Sequence, residues 1–253
     1  EPSGLACDHY QRFADDFDLA KSLGHNAHRF SIEWSRIEPQ EGVFDGLALA
    51  HYQDVVRALR ARGLEPVVTL HHYTNPLWLA KQGGWTHPKV IEAFARFTRQ
   101  VVDALGSEVR YWLTLNEPIV YVWMHYLDGT GPPGAHDLRL ALRVMEHLLR
   151  AHAASYRILH EQAAAHGRQA MVSVAHHVQP FVPCRRWWVG DRLIAAMTEQ
   201  AYNHRFLEAL MDGRWRMPGR PTIRIPEAAQ TLDFLGMNYY SRAFMRLRPV
   251  FNQ

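Results

Sequence analysis

Apolar residues recur along the chain in two alternating rhythms. Tyr10, Phe13, Phe17 and Ala20 stand at helical spacing, Leu23 closes the stretch, and Gly24 can take the left-handed conformation that ends a helix. Residues 27–32 then form a short, nearly continuous run that predicts a strand. The pattern repeats. Residues 52–62 predict a helix stopped by Gly63, and 66–70 a strand. Pro88 suits a helix start, Val90, Phe94, Phe97 and Val101 make one face, and Gly106 ends it before a strand at 111–116. The longest helix, 138–166, carries Leu138, Leu142, Met145, Leu149, His152, Tyr156 and Leu159 on one stripe and stops at Gly167. A strand at 170–175, a last helix at 191–211 before Gly213, and a fifth strand at 231–238 complete the reading.

Helices alternating with short, almost wholly apolar strands predict a parallel sheet covered by helices, either open and doubly wound or closed into a barrel. Polar and aromatic residues gather where strands give way to loops: His71-His72, Asn116-Glu117, His176-His177 and Asn238-Tyr239-Tyr240. Sites form at that end in both architectures. No GxGxxG or GxxxxGK[ST] follows a strand, so a nucleotide site has no support. The expectation is one α/β domain over 1–253, a (β/α)₈ TIM barrel present as an incomplete barrel of about five βα units.

Composition narrows this little. The chain is 47% hydrophobic and 21% charged, as a soluble enzyme would be, and no apolar run is long enough to span a bilayer, so no membrane partner is expected. The net charge of +3 comes from scattered basic residues, and the densest groups, Arg185-Arg186 and Arg214 to Arg224, are interrupted by Trp and Pro. A nucleic-acid binder would cluster them, so no nucleic-acid partner is expected. Glu1-Pro2-Ser3-Gly4 shows neither an initiator Met nor a charged-then-apolar leader. Cys7 and Cys184 make no CxxC or ligand cluster, which suits a reducing compartment and makes a cytoplasmic location the expectation.

The chemistry concentrates at Thr114-Leu115-Asn116-Glu117-Pro118. A strand delivers an amide and a carboxylate side by side, and Pro118 stops the ladder. Neighbours on a regular strand face opposite ways, so the two serve one ligand only if the strand bends at its end. Asn116 can then hydrogen-bond a sugar hydroxyl. Glu117, among Trp112, Tyr121 and Trp123, would be partly desolvated, which raises a carboxyl pKa toward general-acid use. Taken alone, the tripeptide equally fits a carboxylate that caps a loop.

It is not alone. Ala6-Cys7-Asp8-His9-Tyr10, the run from Arg29 to Ile37, Thr69 to Pro76, Gly83-Gly84-Trp85, Thr114 to Pro118, and Phe234 to Ser241 together make the chain resemble glycoside hydrolase family 1, the β-glucosidase and β-galactosidase group. The resemblance implies a retaining β-glycosidase acting on a small-molecule β-glycoside or oligosaccharide. Glu117 matches the acid/base, Asn116 the residue on the sugar's 2-hydroxyl, and His72 a histidine of the first sugar subsite. Tyr73 stands where many members have Trp. Arg29 and Tyr240 match residues around the nucleophilic carboxylate, and Asn238 a polar neighbour in that shell.

Other polar and aromatic residues are expected to be structural. His71 faces away from His72, so the pair makes no metal site. His176-His177 has no matching cluster, and Glu33 and Trp34 belong to packing. Trp78, Trp85, Trp187, Trp188 and Trp215 are expected mostly to pack. No cofactor is expected, because two carboxylates and water suffice for the reaction.

Three parts of the family pattern have no counterpart: a first strand with a sugar-binding Gln, and two later βα units, of which one carries the nucleophilic Glu. A fragment is therefore expected. A catalytically inactive sugar-binding barrel, or a truncated chain that self-associates, is the alternative.

Overall fold

The computed structural model describes residues 6–217 and 219–247. The opening residues searched for a leader lie outside that range. In chain order the elements are α1 His9–Ser22, β1 Ala27–Ser31, α2 Trp34–Ile37, α3 Gly46–Ala61, β2 Glu65–His71, α4 Leu77–Lys81, α5 Lys89–Leu105, β3 Tyr111–Asn116 and α6 Pro118–Val122. After these come α7 Leu138–Ala165, β4 Met171–Val178, β5 Phe181–Pro183, α8 Val189–Glu199, α9 Arg205–Asp212, β6 Arg214–Trp215, β7 Ile223–Arg224, β8 Gly236–Tyr239 and β9 Ala243–Met245.

Five strands form one sheet in the order β1-β2-β3-β4-β8, every neighbouring pair parallel. It is an incomplete barrel, one of the two architectures that the alternation allows and the one expected. Val68, Leu70, Trp112, Leu115, Val172 and Val174 are almost wholly buried in it. Phe94, Phe97 and Val101 of α5 and Leu148 and Leu149 of α7 join the same core. Burying a side chain of this size contributes roughly 1.5–3 kcal/mol. Gly236 starts β8 because nothing larger fits: a Cβ there would lie 2.5 Å from the carbonyl oxygen of Val174.

Helix α3 begins six residues before the expected helix, at Gly46. The Asp45 carboxylate accepts from Leu47 N and Ala48 N and so caps it.

Two further boundaries differ from the sequence expectation, each for a long-range reason. The last helix is not continuous. Gln200–His204 is a π-helical turn between α8 and α9. The extra residue turns Asn203 inward, where its amide bridges Gln179 (3.1 and 2.8 Å) and Glu199 (2.8 Å). The fifth strand is shorter than 231–238. Asp233 accepts from Val172 N, Tyr156 Oη and His160 Nε2 at 2.7, 2.6 and 2.8 Å. Its own N–H bonds the Val172 carbonyl, so the segment before Gly236 is a tether.

Trp34 packs as expected at 1% exposed, and its indole N–H donates to Glu38, which is fully buried. Glu38 also accepts from Gly42 N at 2.8 Å and from Arg96 at 2.6 and 3.1 Å. Breaking one side of a buried ion pair leaves the other uncompensated. Glu38→Leu therefore lowers unfolding free energy by about 3–5 kcal/mol in urea titrations, while Arg57→Ala, on an exposed pair, moves it by less than about 1 kcal/mol.

Candidate active site

Strand β3 does bend where it delivers its polar pair. Its register with β4 shifts between Leu113 and Asn116, and Glu117 adopts φ 45°, ψ 59°. A non-glycine residue held there costs roughly 1–3 kcal/mol, which the surroundings must supply. Glu117 N donates to the Ala175 carbonyl at 2.7 Å, and Pro118 opens α6. The consequence is chemical. Asn116 Oδ1 and Glu117 Oε1 face one target, the Asn238 amide, whose Nδ2 donates to them at 3.3 and 2.7 Å.

The other strand ends converge on this pair. From β1, Arg29 Nη2 donates to Asn116 Oδ1 at 2.5 Å, Nη1 to Asn238 Oδ1 at 3.2 Å, and Nε to Thr69 Oγ1 at 2.9 Å. Burial lowers the Arg29 pKa, opposed by Glu117 and two tyrosines. After β2, Tyr73 also takes a left-handed backbone, φ 73°, and its hydroxyl donates to Glu117 Oε2. Burial and that acceptor raise its pKa well above the ordinary phenol value. His72 stands at the rim with its ring edge-on to Tyr73, centroids 5.4 Å apart. Partial desolvation and then Arg29 lower its pKa, while Glu117 acts the other way. Tyr240 is 71% exposed at the opposite rim, its pKa raised by desolvation and by Glu117.

All seven residues singled out from the sequence thus stand together: Arg29, His72, Tyr73, Asn116, Glu117, Asn238 and Tyr240. The expected electrostatics do not hold. Glu117 is only 6% exposed, and burial raises its pKa, but hydrogen bonds from Tyr73, Asn238 and Tyr240, with the field of His177, outweigh that. The net shift is downward, toward the carboxylate. The aromatic surroundings differ too. Trp112 is packed in the core at 1% exposed and Trp123 is 55% exposed, while Tyr73 makes the contact and stacks on Tyr121.

His177, read from the sequence as having no role, lies within the electrostatic reach of Glu117. Its Nδ1 shares a 2.5 Å hydrogen bond with the Tyr202 hydroxyl, and its ring lies 5.3 Å from that of Tyr240. The available signal was its position just past a predicted strand; its register with Asn238 comes from the sheet. His176 points the other way, fully buried, with Nε2 donating to the Asn203 carbonyl at 3.0 Å. His71 is likewise buried, donating to Asn75 at 3.2 Å among Trp85 and Tyr121. Among the described residues no group of three His, Cys, Asp or Glu converges as a metal site, and no helix is long and apolar enough to cross a membrane. Cys7 and Cys184 are free and exposed.

The "Beta-glucosidase A" of Thermotoga maritima is 30% identical over 256 residues, covering 97% of this chain and 56% of that protein. The "6-phospho-beta-galactosidase" of Clostridium acetobutylicum is 29% identical over 95% of this chain and 54% of its own length. The solved structure of a beta-glycosidase from Pyrococcus horikoshii superposes with a TM-score of 0.85 at 36% identity, covering 93% of this chain and 53% of that one. The chain spans little more than half the length of these relatives. The sequence profile described as "Glycosyl hydrolase family 1" matches residues 1–252, and the chain belongs to that family.

Proposed function

We propose that the protein to which this chain belongs hydrolyses β-glycosides with retention of configuration, with Glu117 as its acid/base. One observation carries this reading: a bent strand end turns Asn116 and Glu117 to one side, where a single amide, Asn238, binds both. Glu117 protonates the departing glycosidic oxygen and then takes the proton from the water that releases the sugar. Asn116 holds the hydroxyl beside the reacting carbon, a contact that strengthens as charge develops. His72 and Tyr73 line the sugar's position. Arg29, Tyr240 and Asn238 orient and ionise the second carboxylate.

That second carboxylate belongs roughly 5 Å from the first in a retaining site. The groups acting on Glu117 here are Tyr73, Asn238, Tyr240 and His177, none of them an acid. We assign the nucleophile to a part of the protein outside this chain. The assignment also accounts for the downward pKa shift. A like charge at that distance opposes ionisation and raises the pKa of its neighbour. The nucleophile thereby turns Glu117 from a carboxylate into a proton donor. By itself the chain then keeps a sugar-binding surface without turnover, and calorimetry with cellobiose distinguishes binding from hydrolysis.

The relatives include β-glucosidases and a 6-phospho-β-galactosidase, so an aryl β-glucoside is the first substrate to try. Proton NMR of the full-length protein acting on it shows the β-anomer of the sugar first, the α-anomer growing only by mutarotation. First appearance of the α-anomer, or no hydrolysis of any β-glycoside tried, overturns the reading.

A further inference from the structure

A second cleft lies on the outer side of the sheet, between α6, α7 and the π-helical turn at 200–204. It has two halves that share Leu142, Trp215 and Met217. One half is a cavity of about 230 Å³ lined by Ile119, Val122, Met145 and the ring of Tyr202, with almost no polar surface. That exceeds the roughly 150 Å³ of an apolar cavity that stays dry and takes up benzene. The other half, about 370 Å³, is walled by Arg139, Arg143, Arg220 and Glu146. The Glu146 carboxylate is engaged by Arg150 at 2.9 Å. Among the described residues no carboxylate pairs with the other three arginines; the ion pairs nearby join Arg150 to Glu227 and Arg216 to Asp212.

An apolar chamber beside guanidinium groups that no carboxylate of the described residues pairs is complementary to an amphipathic anion. We propose that this cleft binds an amphipathic carboxylate, its hydrocarbon or aromatic body in the chamber behind Tyr202 and its head on Arg139, Arg143 and Arg220. Guanidinium forks match a carboxylate with two parallel hydrogen bonds, and the apolar half gains by leaving water. The cleft is also independent of the sheet edges. The elements that border it, α6, α7 and the π-helical turn, pack on β3 and β4, each paired on both sides, whereas the edges are β1 and β8. Its wall meets the first site at Tyr202, whose hydroxyl bonds His177, itself beside Tyr240.

Calorimetric titration of the full-length protein with octanoate tests this, with octanol as the uncharged control of equal length. Octanoate binds saturably at one site, about tenfold or more tighter than octanol, and added salt weakens only the former. Arg139→Ala with Arg143→Ala, both on exposed side chains, brings octanoate down to the octanol level, and Leu142→Trp, filling the shared wall, removes both. Arg29→Gln leaves octanoate binding unchanged. Equal affinity for the two probes, insensitivity to the arginine pair, loss of binding on Arg29→Gln, or no saturable octanoate binding each overturns the proposal. The arginine variant, being superficial, decides the matter even if the tryptophan fails to fold.

Discussion

Glu117→Gln lowers kcat of the full-length protein on an unactivated β-linked disaccharide by about 10²–10⁴-fold, the contribution a positioned general acid makes. Glutamine keeps the shape and one acceptor, so the Asn238 or Tyr73 contact survives and the fold is retained. What goes is the proton. A nitrophenyl glycoside needs little protonation to leave, so its first chemical step slows far less than that of the disaccharide. The second step still lacks a base for water, and a glycosyl-enzyme accumulates. Azide needs no base, so added azide restores turnover and yields the β-glycosyl azide. Unchanged disaccharide turnover in the variant, or azide without effect on nitrophenyl glycoside turnover, sinks the assignment of Glu117.

The fold was legible because its signals are local. Gly24, Gly63, Gly167 and Gly213 have positive φ and close the helices that the periodicity predicts. Each short apolar run after a helix is a parallel strand or contains one, with the three central strands buried and the edge strands β1 and β8 half-buried. The misread boundaries were set by partners distant in the chain. Asp233 tethers residues 61 to 77 positions away, and nothing in 231–235 distinguishes such a tether from a strand.

The same division governs the site. That Asn116 and Glu117 end a strand before Pro118 is readable directly, and the family resemblance gathers the rest. That Asn238 bonds Glu117 across 121 positions, or that His177 shares its register, depends on which strands pair. The pKa error has this origin too. Aromatic neighbours advertise desolvation, but the donors that outweigh it arrive from β8 and from the loop after β2. Local sequence shows the cost of burying a charge; only the sheet shows what offsets it.

Acid destabilises this fold well above the range where carboxylates titrate, and three buried histidines are the reason. Desolvation lowers His71 to about 3, and His152 and His176 each to about 4. His152 shows why the neutral form is required. Its Nε2 donates to the Thr231 carbonyl at 2.7 Å while Nδ1 faces the Thr114 hydroxyl at 2.6 Å, in a fully buried site. Each folded-state pKa lies below the unfolded value of about 6.5, so between the two the unfolded chain binds the extra proton. Stability from these groups is fully present above about pH 6.5 and falls as pH drops toward the folded-state values. Each contributes up to about 1.4 kcal/mol per pH unit, and three together about 4, against a total stability of about 5–15 kcal/mol. Urea midpoints therefore fall steeply between about pH 6.5 and about pH 5. His152→Gln, whatever its own cost, lowers that slope by about a third, since one of the three protons is no longer taken up. A midpoint that stays level across the window shows instead that the three histidines are protonated, or solvated, in the folded state.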